Sequence, residues 1–125
     1  MFGGIVVGGD KMGKLYGFPT ANLDCTKKEV KLGPGVYAAR CSLEKKVYKA
    51  ALVIKNMPAW RVEIYLVDYD GPDFYGSFLE VDPIQQVASV EKIYHKDELI
   101  NKINQDILLV KEFFSTISKS TSLHS

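Results

Sequence analysis

Between Ile5 and Tyr94 no amphipathic helix separates one extended segment from the next, and that constrains the fold more than any single motif does. Residues 5–8, 36–43, 47–54, 62–69, 75–81 and 84–94 alternate, or carry β-branched and aromatic side chains, between turn signals, which predicts six strands. "SLEKKVY" (42–48) predicts a tight polar hairpin tip, and "DYDGPDFYG" (68–76) a longer turn built on Gly71 and Pro72. Strands joined without crossover helices pair antiparallel, and closing such a sheet into a small barrel removes its edges. A chain of 125 residues makes about one domain of this kind.

The helical pattern comes only at the end. In "KDELINKINQDILLVKEFF" (96–114), Ile100, Ile103, Ile107, Val110 and Phe114 recur at spacings of three and four. Asp97 and Glu98 at its start and Lys111 at its end suit the helix dipole. The predicted domain is 1–114, a barrel plus this helix packed across it. The Ser-rich stretch 115–125 lacks a pattern and is predicted to be a flexible polar tail.

Composition narrows function by exclusion. With 46% hydrophobic and 25% charged residues and a formal net charge of +1, the chain has no basic excess for nucleic acid, and no membrane partner is expected. "MFGGIVVGGD" has a short apolar run and no basic leader, so it reads as a first strand and the expected location is cytoplasmic. Cys25 and Cys41 form no C-x-x-C, and His95 and His124 are the two histidines, so buried reduced thiols are expected rather than a disulfide framework or a zinc site.

"GGDKMGKLYGFPTAN" (8–22) nearly matches the spacing of a P-loop, with Gly8 five residues before Gly13 and Lys14. A P-loop needs Ser or Thr after its Lys and a helix to follow. Leu15 follows instead, and Gly17, Phe18 and Pro19 oppose a helix. Thr20 and Asn22, two apart in an extended segment, place their side chains on one side of the chain. A hydroxyl and an amide oxygen are hard donors that Mg²⁺ accepts beside phosphate oxygens, although both residue types also cap turns. The span from about Gly8 to Gly35 reads as one long loop, which is where chemistry is expected.

"GIVVGGDKMGKLYGFPTANL" (4–23), "PGVYAA" (34–39), "ALVIKNMPAW" (51–60), "VEIYLVDYDGPDFYG" (62–76) and "DELINKINQDI" (97–107) resemble, in that order, the riboflavin kinase family. The resemblance implies an all-β, six-stranded antiparallel Greek-key barrel with one C-terminal α-helix. It implies transfer of the ATP γ-phosphoryl group to the riboflavin 5′-hydroxyl, giving FMN and ADP with Mg²⁺ as cofactor. Carried onto matching positions, it makes Glu63 the catalytic base and Thr20 and Asn22 the metal-holding pair. Gly9, Gly13, Lys14, Thr20, Leu66, Asp68 and Tyr75 become the nucleotide-binding set. Trp60, Ala88, Glu91 and Ile93 become the flavin-binding set. Such kinases often follow an adenylyltransferase domain that makes FAD, and this sequence reads as the kinase module without it, expected to be a monomer acting on ATP and riboflavin.

The pattern breaks mainly on the flavin side. Where the family word has the form L-R-x-E-x-x-F, this chain has "VASVEKI" (87–93), with Ala88 for Arg, Val90 at the acidic position and Ile93 for Phe. Lys55, Ala59 and Trp60 stand where Gly, Thr and Phe are usual, Tyr65 where His is common, and Tyr16 where an aliphatic residue precedes "GFPTAN". Loss of a guanidinium and an aromatic surface together suggests an alternative, a catalytically weak or silent nucleotide- or flavin-binding module.

Overall fold

The computed structural model describes the backbone of residues 1–8 and 20–124, and the side chains of residues 1–7 and 21–117. Six strands are present: β1 (Phe2–Gly8), β2 (Thr20–Asp24), β3 (Gly35–Leu43), β4 (Lys46–Lys55), β5 (Arg61–Leu66) and β6 (Phe78–Ala88). A one-turn helix, α1 (Lys27–Val30), follows β2, and a long helix, α2 (Lys96–His124), ends the chain. The strands close in the order β1-β2-β5-β4-β3-β6, every neighbour antiparallel. Within that order β3, β4 and β5 are successive neighbours while β2 lies beside β5, which is a Greek key.

Alternation sorts the side chains onto two faces. Ala21, Leu23, Leu52, Ile54, Val62, Ile64, Leu79 and Val81 point inward and form the barrel core. Each aliphatic side chain buried there contributes about 1.5–3 kcal/mol relative to exposure. At Gly4 the backbones of β1 and β2 approach so closely that a Cβ would stand 2.7 Å from the Asp24 carbonyl oxygen. On the outer face, Ala38 of β3 and Ala51 of β4 meet Val110 and Phe114 of α2, with Tyr65, Ile84 and Val87 packed alongside. The Phe114 ring also carries two cations from the sheet, the Arg40 guanidinium at 5.2 Å and the Lys49 ammonium at 5.6 Å from its centre.

The count of six strands agrees with expectation, yet two of the strands differ. The expected loop from Gly8 to Gly35 contains β2 and α1; β2 has five residues and two of them, Asn22 and Asp24, are poor strand formers. The expected strands at 75–81 and 84–94 are one strand, β6, which ends at Ala88. Pro83 suggests a break, but it sits where the β3–β6 register shifts, between the pairs Ala39–Pro83 and Ala38–Gln85, so the irregularity absorbs it. The hairpin tip is as predicted, with Glu44 and Lys45 both at positive φ between Leu43 and Lys46. The final helix does not stop at Phe114: it runs on to His124 through the stretch predicted to be a tail. Adding residues to a formed helix costs far less than starting one, so a polar sequence can extend it.

Candidate active site

Strand register builds the site before any side chain is considered. In β5, Arg61, Glu63 and Tyr65 alternate with the inward Val62, Ile64 and Leu66, so all three face outward. Asn22 of β2 is the direct partner of Glu63 on one side, and Val53 of β4 is its partner on the other. Thr20 is the backbone partner of Tyr65. Directly paired residues of antiparallel strands point to the same face, so Asn22, expected to hold metal, and Glu63, the expected base, lie side by side on one surface.

Glu63 is 4% exposed, and with Asp106 it is one of the two buried charged residues among those described. A buried carboxylate needs partners, and the surrounding strands supply three. Arg61 Nη1 donates to Oε1 at 3.3 Å, the Tyr65 hydroxyl donates to Oε2 at 3.2 Å, and Lys55 Nζ lies 3.4 Å from Oε2. Lys55 and Arg61 are themselves direct partners across β4 and β5.

This cluster stands at the edge of a cleft of about 730 Å³, lined by Lys55, Met57, Pro58 and Arg61 from the β4–β5 connection and by Val90, Glu91, Ile93 and Tyr94 from the segment leading to α2. A smaller recess of about 40 Å³ continues from it beneath the helix, where Tyr65 and Val53 meet Lys102, Ile103 and Asp106. A Lys102–Asp106 ion pair closes the recess from the helix side. Burial pushes the Asp106 carboxyl above the usual range, with Lys102 opposing the shift and Glu91 adding to it.

The remaining expected residues are distributed unevenly. Of the residues expected to contact flavin, Glu91 and Ile93 line the cleft, whereas Ala88 ends β6 opposite Val36. Trp60 donates its indole N–H to the Cys25 carbonyl at 2.8 Å and packs on the barrel core, so its ring braces the β4–β5 connection. Leu66 turns its side chain into the core, leaving its backbone for any ligand. Asp68, at a φ of 58°, is exposed and lies 3.7 Å from Lys111 of α2. Tyr75 is half exposed on the turn before β6. Gly9, Gly13 and Lys14 lie outside the described residues, as does the side chain of Thr20. The cysteines are buried and free, and burial raises Cys25 to about 11 and Cys41 to about 12, which keeps both thiols protonated at neutral pH. Sequence reading gave Lys55, Arg61, Lys102 and Asp106 no role in the site, although the Arg61-Glu63-Tyr65 alternation already puts one cation and one phenol beside the carboxylate.

The closed barrel with its C-terminal helix agrees with a family match. The model of the flavokinase family, described as riboflavin kinase, matches residues 1–114, and the chain belongs to that family. It is 28% identical over 124 residues to the bifunctional riboflavin kinase/FMN adenylyltransferase of Bacillus subtilis, an alignment covering 93% of this chain and 39% of that protein. The protein of the same description from Escherichia coli K12 is 32% identical over 117 residues, covering 89% and 37% respectively. The chain thus spans under two fifths of the length of these relatives. Among solved structures, riboflavin kinase from Trypanosoma brucei aligns with a TM-score of 0.65 at 24% identity, covering 90% of this chain and 78% of that one. A structure titled macrolide-efflux protein, from Streptococcus pneumoniae, aligns with a TM-score of 0.78 at 24% identity, covering 88% and 38%. At that identity both likenesses speak for the fold alone. Among the described residues no helix is long and apolar enough to cross a membrane.

Proposed function

We propose that this chain is an ATP-dependent riboflavin kinase in which Glu63 is the catalytic base, flavin enters the cleft between the β4–β5 connection and the segment before α2, and the nucleotide phosphates approach from the β2 side. The observation that carries this reading is the pairing of Asn22 with Glu63, which sets an amide beside a buried carboxylate whose ion-pair partners Lys55 and Arg61 line a cleft. Family membership favours it over the binding-only alternative.

Phosphoryl transfer of this kind runs through a loose transition state, so the protein mainly positions the reactants and neutralises charge. Glu63 orients the ribityl hydroxyl and accepts its proton late, as the bond to phosphorus forms. Lys55 and Arg61 bring positive charge to the same edge of the cleft, and Glu91 and Ile93 line the side where the flavin would lie. Gly9, Gly13 and Lys14 are assigned to the nucleotide phosphates, with Leu66, Asp68 and Tyr75 nearer the nucleoside. No three His, Cys, Asp or Glu side chains gather among the described residues to hold a cation by themselves, which suits an ion shared between protein oxygens and substrate phosphates. Thr20 and Asn22 would hold Mg²⁺, whose contribution when bound is to screen the phosphate charge.

The test is incubation of the protein with riboflavin, ATP and Mg²⁺ followed by chromatographic separation of the flavins. FMN is the expected product, and Glu63→Gln lowers its rate of formation by on the order of 10² to 10⁴. Retention of riboflavin on the protein without FMN over hours would overturn the assignment.

A further inference from the structure

The donors around Glu63 do not share its carboxylate evenly. Among the described residues, Oε2 is held by two of them, the Tyr65 hydroxyl and the Lys55 ammonium, and Oε1 by one, Arg61 Nη1. The holders also differ in how firmly they are placed. Tyr65 packs against the apolar cluster under α2, and the Lys55 side chain is 35% exposed where the cleft passes into the recess. The Arg61 side chain is 53% exposed and reaches the carboxylate through one nitrogen, so solvent screens the contact and weakens its hold. A base must offer one oxygen to its proton donor while the rest of the group keeps its direction.

We propose that Lys55 and Tyr65 are positioning residues that lock Oε2 of Glu63, so that Oε1, once Arg61 lets go, meets the acceptor hydroxyl. This rests on the riboflavin kinase reading above. As the bond from the ribityl oxygen to the γ-phosphorus forms, the bond from that phosphorus to the β,γ-bridging oxygen breaks. ADP leaves with the bridging oxygen, and the hydroxyl proton passes to Oε1 and then to water. The guanidinium released from Oε1 stays in the cleft, where phosphate oxygens offer it a doubly charged, two-pronged partner. The two oxygens of one carboxylate therefore have separate duties, and the β-register assigns them: Tyr65 and Arg61 flank Glu63 on its own strand, and Lys55 reaches in from β4.

Steady-state FMN formation by Tyr65→Phe and Lys55→Met, with Lys55→Arg as the conservative control, tests the assignment. Each of the first two lowers kcat about 10- to 100-fold while KM for riboflavin and for ATP stays within about twofold, the mark of lost alignment rather than lost binding. Lys55→Arg restores most of kcat. In a Glu63→Gln background neither substitution lowers kcat further, because a positioning residue acts only through the group it positions. Thermal unfolding of each variant separates these effects from loss of fold. Losses that multiply with that of Glu63→Gln, or a raised KM at unchanged kcat, would overturn the proposal while leaving the kinase reading standing. An unaltered chain that makes no FMN would instead remove the kinase reading and this proposal with it.

Discussion

Asp106 and Lys102 sit one helical turn apart on α2 and face the barrel, where Asp106 is buried. Because burial raises its pKa despite Lys102, the folded protein holds the Asp106 proton more tightly than the unfolded chain does. Its stabilising contribution is therefore fully present below the ordinary aspartate pKa, about 3.9, and is lost as pH rises through the higher folded value. Replacing Asp106 with Asn removes that loss, so the stability of Asp106→Asn relative to the unaltered protein improves between pH 4 and pH 7. Urea unfolding at the two pH values checks this, and a difference that is flat or of opposite sign would show that Lys102 outweighs desolvation. None of this was legible from sequence, where Lys102 and Asp106 are two more polar positions on an amphipathic helix. Glu63 presents the reverse case: the alternation of β5 marks it only as outward-facing, the ordered family motifs single it out, and the fold then sets Asn22 and Lys55 beside it.

Helix α2 is legible in the sequence over the span where packing writes a pattern, and its extension to His124 is not. Ile103, Val110 and Phe114 are buried against the sheet, and their spacing is what the periodicity detects. Beyond Phe114 the helix leaves no apolar stripe to read, and Thr116 instead turns its hydroxyl back onto the Glu112 carbonyl at 3.0 Å. Phe114 concentrates the docking: it is 2% exposed, wedged against β3 and β4 and overlaid by Arg40 and Lys49. Phe114→Ala should lower the unfolding free energy by about 3–5 kcal/mol, measured by denaturant titration. A cost under about 1 kcal/mol would mean that the helix is not anchored there. The strands teach a related lesson, because shortness and its Asn and Asp hide β2, and Pro83 suggests a break in the single strand β6; the two differences cancel in the count but not in where the strands lie. With β2 read as loop, Asn22 could be proposed as a donor on residue type but could not be placed against Glu63.

For the molecule as a whole, the barrel closes so that β2 and β5 are neighbours although α1, β3 and β4 intervene in the chain. That closure joins the halves of the proposed site, one strand carrying Thr20 and Asn22 and the other Glu63, and α2 with the segment before it supplies the opposite wall. The barrel class was open to sequence reading because alternation and an ordered set of motifs record it, and the same motifs supply Glu63 as the proposed base. The cation clamp was not, because it depends on which residue of one strand faces which residue of another. The most direct measurement is a Mg²⁺ titration of FMN formation from riboflavin and ATP, run on the unaltered chain and on Asn22→Ala together. The account predicts FMN from the unaltered chain and a Mg²⁺ requirement shifted at least about 10-fold upward in the variant, as expected when a metal site loses a supporting oxygen. Identical titration curves for the two proteins would contradict it.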